Sequence, residues 1–451
     1  MICSAEARVL KSLFDGFEAR GVPYVVLRNY ESLPYASGGS DVDILVSEKD
    51  GLSARAIVLE AFGAANGWPV GIAESPGFFK VVGLGHTQAG NTGWWGLCVD
   101  VNVGLFFRGC RLLDGDKPLP VHLHNGVHVL SDGLAAILGV LKEVLNNDVY
   151  PEKYSGAARL AARNDWPLVA TLLAPMRARP LVAFRALLLS TAPSEELRAD
   201  CRQLRSLLFR DMLCSRPIFS VTHRLRYQWS RMRRYARPPG LVLAILGVDG
   251  AGKSTVISSL LPVLNAATHN TVVVKHLRPG WLPPLARLKG ASRIDGPVLA
   301  PHAATPSGVL GSLLRLSYLT LDYVVGYWLW TRPLIAKSPT VVVFDRYAYD
   351  MAFDPRRFRV GLPGRVARWF AMLVPTPDLI VCLHGAPETI AARKQELPLE
   401  ETRRQVEALR EFAAREPRAV MVSTDITVEE THDQVLHALC KVLRRRSQTR
   451  F

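Results

Sequence analysis

The chain has 451 residues, which is more than one hydrophobic core usually serves, so two or three domains are expected. Apolar residues make up 49% and charged residues 21%, which excludes a disordered or collagen-like chain. The formal net charge is +15, but residues 201–240 hold ten Arg and no Lys against one Asp, a surplus of nine. Because the excess charge marks one segment, it predicts no specific nucleic-acid partner.

The N-terminal segment reads as a helix and lacks the basic start and cleavage site of a secretory signal. Seven cysteines are scattered without Cys-x-x-Cys pairs, which fits a reducing compartment. The apolar stretch 308–330 contains Arg315 and Asp322, whose charges are costly inside a bilayer. We therefore predict a cytoplasmic protein in which this stretch is a buried helix and not a transmembrane segment.

The first half of the chain divides by pattern into three segments. Residues 1–125 mix short apolar strands with turns and predict an α/β domain, and residues 126–208 change to helical spacing and predict a helical subdomain. Residues 209–240 interleave arginines with aromatic residues and end in Pro-Pro-Gly, a boundary signal. We interpret them as a linker helix whose aromatic residues pack on a neighbouring domain. The alternative is peripheral contact with an anionic membrane surface.

Two carboxylates of the first domain alternate along one predicted strand. Asp41 and Asp43 flank Val42, so their side chains share a face, and Asp100 lies in a second apolar strand. Three hard oxygen ligands of this kind could bind Mg²⁺. The pattern resembles nucleotidyltransferases of the polymerase-β type, and the resemblance implies a metal triad of Asp41, Asp43 and Asp100. The alternative is that these carboxylates are structural.

From residue 241 to residue 446 the chain alternates continuous apolar strands with helical stretches. Strands without polar alternation are buried on both faces, which predicts a mostly parallel sheet covered by helices. Residues 247–254 (GVDGAGKS) match the G-x-x-x-x-G-K-[ST] loop between a buried strand and a helix. The loop predicts binding of ATP with Mg²⁺ by Gly247, Gly250, Ala251, Gly252, Lys253, Ser254 and Thr255.

The chemistry of each loop residue is specific. Glycines let backbone N–H groups face the phosphates, Lys253 brings a positive charge, and the Ser254 hydroxyl is a Mg²⁺ ligand. A second buried strand, 340–344, runs directly into Asp345 and Arg346. Because parallel strands end at one edge of the sheet, we expect Asp345 to face the loop and its metal and Arg346 to face the acceptor.

These motifs together resemble thymidylate kinases. The resemblance spans residues 241–446 and is carried by GVDGAGKST at 247–255, RPG at 278–280, FDRY at 344–347 and PDLIVCL at 377–383. It implies ATP-dependent transfer to a nucleoside monophosphate or a similarly phosphorylated small molecule. By the same likeness Asp249 would lie at the transfer site, Arg278 and Arg346 would hold the acceptor phosphate, and Arg393 would belong to a lid. A homodimer is compatible with it.

The chain is longer than a single-domain thymidylate kinase and carries an unusual segment, 350–359, after FDRY. This arrangement and the Arg-Lys-x-Glu at 393–396 resemble thymidylate kinase-like proteins encoded with bacterial surface-polysaccharide genes. Our leading hypothesis is a P-loop phosphotransferase. The alternatives are a metal-dependent nucleotidyltransferase with an accessory P-loop domain, and a P-loop nucleotide switch that controls partner or membrane binding.

Overall fold

The computed structural model describes residues 4–86, 93–107, 110–113, 118–283, 305–393 and 397–450. The chain forms two compact units. The first comprises residues 1–67 and 72–234, and the second comprises residues 68–71 and 235–451. The segment predicted as a linker, 209–240, lies mostly within two long helices.

The first unit is built on a mixed sheet with the strand order β3-β4-β5-β2-β1-β9-β8. Its strands are Tyr24–Val26 (β1), Val42–Val46 (β2), Gly67–Ser75 (β3), Phe78–His86 (β4), Trp94–Val103 (β5), Val121–His124 (β8) and Val127–Leu130 (β9), and a separate short hairpin pairs Phe106–Phe107 (β6) with Cys110–Arg111 (β7). Strands β2 and β5 are parallel, and β4 and β5 are antiparallel.

Helices cover both faces of this sheet. They are Ala5–Ala19 (α1), Gly51–Ala64 (α2), Asp132–Asn147 (α3), Glu152–Asn164 (α4), Trp166–Leu172 (α5), Ala178–Leu189 (α6), Arg198–Ser215 (α7) and Pro217–Ala236 (α8). Val26 and Ile44 belong to a core with α1 and α2, whereas Val25 and Leu45 belong to a core with α3 to α7. The two-residue period of the strands therefore separates two cores. Asp43 shares its face with Leu45, so it points toward α3.

The second unit has a five-stranded parallel sheet with the order β11-β12-β10-β13-β14. Its strands are Leu241–Gly247 (β10), Val273–His276 (β11), Val341–Asp345 (β12), Leu379–His384 (β13) and Ala419–Ser423 (β14). Every residue of β10, the central strand, is buried. The fold is mixed α/β with a parallel sheet, as the uninterrupted apolar strands predicted.

The helices of this unit alternate with its strands. They are Lys253–Thr268 (α9), Val309–Gly326 (α10), Arg332–Lys337 (α11), Asp350–Phe353 (α12), Gly364–Met372 (α13), Pro387–Arg393 (α14), Leu399–Arg415 (α15) and Val428–Arg450 (α16). A short π-helical turn, Tyr327–Thr331, joins α10 to α11. Leu316 and Tyr323 of α10 pack in one core with Val342 and Phe344 of β12.

Within the described residues, one helical segment is long and apolar enough to cross a membrane. It is Val309–Lys337, with a mean hydropathy of 1.2, and 39% of its most apolar window is buried inside the structure. A single segment of this kind is weak support for a membrane span, because the core helix of a soluble protein has the same length and composition. Asp322, in the middle of α10, is fully buried and is ion-paired within the unit.

Candidate active site

The P-loop follows the central strand of the second unit and leads directly into α9. Gly250 and Gly252 have φ angles of 89° and 81°, which a residue with a Cβ rarely adopts, so glycine is needed at both positions. Lys253, the first residue of α9, is 8% exposed. Its ammonium donates to the carbonyl oxygens of Gly247 and Val248, each at 2.9 Å.

Burial dominates the electrostatics of Lys253. Burial and, to a smaller extent, the charge of Arg346 lower the pKa of the ammonium, the carboxylates of Asp249, Asp350 and Asp345 oppose them, and the resulting pKa is about 8. Asp249 lies 3.7 Å from the same ammonium. The loop therefore holds a poorly solvated cation whose direct partners, among the described residues, are two loop carbonyls and the carboxylate of Asp249. A phosphate would be a stronger partner for it.

Asp345 ends β12, beside the P-loop strand and β11. The parallel register pairs it with Ile245 of β10 and His276 of β11. Its Oδ2 lies 2.9 Å from Nδ1 of His276. Burial would raise the pKa of Asp345, but the contact with His276 and the charge of Lys253 outweigh burial and hold that pKa below its usual value.

The second carboxylate oxygen of Asp345, Oδ1, is placed where a metal ion could bind it. Oδ1 is buried and accepts no hydrogen bond from the part of the chain that the structure describes. A buried carboxylate oxygen without a hydrogen-bond donor is unfavourable unless a cation binds it and compensates its charge. The hydroxyl of Ser254, at the start of α9, is exposed. Asp345 and Ser254 therefore have the chemistry that Mg²⁺ requires, and these two residues would hold it.

Arg346 connects the end of β12 to the P-loop. Its backbone N–H donates to the carbonyl of Ile245 at 3.0 Å, and its φ of 74° is unusual for a residue other than glycine. Arg346 as a whole is 3% exposed. Its guanidinium contacts Asp249 and donates to Asp350 at 3.0 Å. The buried carboxylate of Asp350 and the partly buried one of Asp249 thus fix the direction of this cation.

Arg357 is a second guanidinium on the same carboxylate. Its Nη1 lies 2.5 Å from Oδ2 of Asp249, while Arg346 takes Oδ1. The Asp354 side chain accepts from the backbone N–H of Arg357 at 3.2 Å and fixes the turn that carries it. Sequence reasoning marked the segment 350–359 as unusual but did not assign Arg357. Only its arginine-rich composition signalled a site.

The loop after β11 is held by one buried carboxylate. Asp322 of α10 accepts from Arg278 at 2.9 Å, from the backbone N–H of Gly280 at 3.3 Å and from that of Leu282 at 2.5 Å. The Tyr323 hydroxyl also donates to the carbonyl of Leu277. Arg278 is thus placed next to the end of β11 but is ion-paired with a carboxylate that the sequence did not assign to the site.

Arg393 lies apart from this cluster in the described structure. It is the last residue of α14, is exposed, and donates to the carbonyl of Thr424 at 3.1 Å. Among the described residues it forms no ion pair with Asp249 or Asp345. The remainder of the predicted Arg-Lys-x-Glu motif, residues 394–396, lies outside the described residues.

The three carboxylates of the first unit converge. Asp43 and Asp100 are register partners on the parallel strands β2 and β5, and Asp41 precedes β2. One oxygen from each of the three lies within 4.8 Å of the others, and all three residues are buried. Burial raises the pKa of Asp100 to about 7, with Asp43 and Asp41 adding to the effect and Lys80 opposing it.

Three basic side chains neutralise this carboxylate cluster. Lys80 lies 2.9 Å from Asp100, Lys142 of α3 lies 3.5 Å from Asp43, and Arg28 contacts Asp43 and lies 3.6 Å from Asp41. The cluster borders a cavity of about 320 Å³ within the first unit. The convergence suits a divalent cation, but the carboxylates already have cationic partners that a metal would have to displace.

The chain is similar to known proteins over part of its length. No family model matches it. Over 158 residues it is 28% identical to the thymidylate kinase of Xanthomonas oryzae pv. oryzae, and over 157 residues it is 31% identical to that of Xanthomonas campestris pv. campestris. Each match covers 35% of this chain and 61% of the relative. Part of the chain is thymidylate kinase-like.

Two solved structures were also found. The first is the thymidylate kinase from Candida albicans, with a TM-score of 0.34 and 19% identity; the match covers 45% of this chain and 93% of that chain. The second is the thymidylate kinase from Ehrlichia chaffeensis, with a TM-score of 0.32 and 18% identity; the match covers 45% of this chain and 99% of that chain. The sequence matches support a P-loop kinase part of the thymidylate kinase type. The chain spans about three fifths of the curated relatives' length, 61%.

Proposed function

We propose that the second unit is an ATP-dependent phosphotransferase acting on a nucleoside monophosphate or a similar small phosphate ester. The observation that carries this proposal is the buried Asp345 oxygen without a donor, at the strand end beside a P-loop lysine. The phosphate oxygens of ATP would be anionic partners for Lys253, and Mg²⁺ would be a cationic partner for Asp345. The Xanthomonas thymidylate kinases support the class of reaction.

The P-loop residues have separate tasks in this proposal. The N–H groups of Gly250 to Thr255 and the start of α9 bind phosphate oxygens, and Lys253 neutralises the oxygens nearest the transferred group. Ser254 and Asp345 would hold Mg²⁺, and the ion would supply positive charge that offsets the negative charge of the triphosphate. His276 fixes the orientation of Asp345 through its contact with Oδ2.

The acceptor side is formed by Asp249, Arg346 and Arg357. The two guanidinium groups share one carboxylate in the described structure. An acceptor phosphate, with three oxygens, can engage both guanidinium groups bidentately while Asp249 keeps one of them oriented. The pair would thereby place the acceptor oxygen for in-line attack.

The test is the variant Lys253→Ala. We expect turnover to fall by about a hundredfold or more, because a preorganised charge at the transferred phosphoryl group is removed. The matched control is Lys275→Ala, which removes a lysine of the same unit that lies over the Trp330 ring. Activity of Lys253→Ala equal to that of the control would overturn the assignment.

A second candidate function is nucleotidyl transfer by Asp41, Asp43 and Asp100. The convergence of their oxygens within 4.8 Å supports it. Against it stand the three cations that compensate the carboxylates, because nucleotidyl transfer needs these oxygens for metal ions. We therefore place phosphoryl transfer first.

A further inference from the structure

Helix α8, Pro217–Ala236, has one face that is anchored to the first unit. The ring of Phe219 contacts that of His223 at a tilt of 32°, and the His223 ring lies nearly parallel to Phe106 with the two ring centroids 5.2 Å apart. Tyr227 lines the cavity next to the carboxylate cluster, and Arg234 donates to the carbonyl of Glu74 at 2.8 Å. These residues recur at intervals of four, four and seven, which return to the same side of a helix, so they form a single stripe along it.

The opposite face carries large apolar side chains that nothing covers in the described structure. Every residue of α8 is at least partly exposed. The outward stripe consists of Ile218, Val221, Leu225, Trp229 and Met232, with exposed fractions of 79%, 47%, 64%, 67% and 65%. At 100° per residue they fall within about 80° of the helix circumference, and they span about 21 Å. Exposed apolar surface of this continuity marks an interaction site.

Arginines border this stripe on both sides. Arg226 and Arg233 lie along one edge, and Arg224 and Arg231 lie along the other. All four are exposed, and residues 217–237 contain no Asp or Glu. An apolar stripe between two rows of cations is the pattern of a helix that lies in a membrane interface, with its apolar face in the acyl region and its cations among the headgroups.

Charge and shape select the partner. A nucleic acid would use the arginines but would leave five large apolar side chains in water. A protein partner would bury the stripe but would have to supply acids along both of its edges. An anionic lipid surface satisfies both features at once, and Trp229 has the amphipathic ring that favours the interface. We propose that the outward face of α8 binds an anionic lipid bilayer, independently of the proposed phosphotransfer.

The test uses the full-length chain and vesicles of phosphatidylcholine, either pure or with about one quarter phosphatidylglycerol. We expect co-sedimentation with the anionic vesicles, weak binding to the neutral ones, and loss of binding as salt rises. The double variant Leu225→Ser with Trp229→Ser should bind about tenfold more weakly or worse, because two large side chains no longer enter the acyl region. Both positions are exposed, so the fold should be unaffected.

Two matched controls make the test specific. Leu52→Ser with Leu160→Ser removes two leucines of the same unit that are 83% and 61% exposed, and its vesicle binding should equal that of the unchanged chain. Arg224→Gln with Arg231→Gln should weaken binding more than Arg198→Gln with Arg202→Gln, which changes net charge equally. The proposal is overturned if the unchanged chain does not bind anionic vesicles, or if the control variants and the stripe variants bind them equally well. It is also overturned if the stripe variant only dissolves a protein oligomer in sedimentation analysis.

Discussion

Lys253 is the residue whose charge state depends most directly on what the P-loop binds. Its ammonium is buried against the carbonyls of Gly247 and Val248, and burial lowers its pKa to about 8. Bound phosphate favours the protonated form. The free protein therefore loses this proton as the pH rises through about 8, whereas the ATP complex retains it.

This difference predicts a pH dependence of ATP affinity. Between pH 8 and the higher pKa in the complex, the dissociation constant should rise with pH by up to about tenfold per unit, and binding should take up a proton. Calorimetry in two buffers of different ionisation heat measures the uptake. The variant Lys253→Met should bind ATP more weakly, and its dissociation constant should show no rise with pH centred near pH 8. A pH-independent affinity in the unchanged chain would contradict the role of Lys253.

Arg357 gives a second prediction at the residue scale. Arg357→Ala removes one of the two guanidinium groups on Asp249, so the KM for the phosphorylated acceptor should rise by about tenfold or more, while the dissociation constant for ATP stays within about twofold. Steady-state kinetics and nucleotide titration separate the two effects.

The neighbouring Arg356 is the control for this variant. Arg356 is exposed, whereas the Arg357 side chain is 21% exposed and faces Asp249. Arg356→Ala should change neither constant. Equal effects of the two variants would show that the segment acts through its charge alone and that Arg357 has no specific place in the site.

At the scale of elements, Asp322 links α10 to the loop after β11. Asp322→Asn removes the buried charge that pairs with Arg278 and replaces one acceptor oxygen by a donor facing backbone N–H groups. We expect the free energy of unfolding to fall by about 3 kcal/mol or more, because a buried cation is left without its anion. The measurement is urea denaturation, followed in the transition that added nucleotide shifts.

Ser317→Ala, at an exposed position of the same helix, is the control and should change stability by less than about 0.5 kcal/mol. If Asp322→Asn left the free energy of unfolding unchanged, the loop would be held by the Tyr323 hydroxyl and by packing. In that case the acceptor side would not depend on the ion pair with Arg278.

The parallel sheet and the P-loop could be predicted because their signals are local. Buried strands are continuous apolar runs, the loop is one contiguous motif, and the position of Asp345 follows from the strand that it ends. The partners of these residues could not be predicted in the same way. Arg357 meets Asp249 across 108 positions of the chain, and Asp322 meets Arg278 across 44.

The same distinction holds in the first unit. Alternation along β2 and the apolar run of β5 were enough to suggest that Asp41, Asp43 and Asp100 share a face. The compensating cations were not predictable, because Arg28, Lys80 and Lys142 come from a loop, a strand and a helix that only tertiary packing brings together. Their positive charges change the chemistry of the cluster from open metal ligands to a neutral network.

At the scale of the whole molecule, the two compact units have separate cores and separate clusters of charged residues. We propose that phosphoryl transfer takes place entirely in the second unit. The variant Asp41→Asn with Asp43→Asn should therefore leave the rate of ADP formation within about twofold of the unchanged chain. Circular dichroism would verify that the first unit is folded. Loss of ADP formation in a folded variant would make the carboxylate cluster part of the reaction.

The most direct test of the central claim is a product assay with ATP labelled in turn at the γ- and α-phosphate, in the presence of Mg²⁺. The acceptors would be thymidine monophosphate, other nucleoside monophosphates and sugar phosphates. If the second unit is a phosphotransferase, the products are ADP and an acceptor that carries the γ-label. Release of pyrophosphate with transfer of the α-label would contradict this claim and would assign the chemistry to Asp41, Asp43 and Asp100.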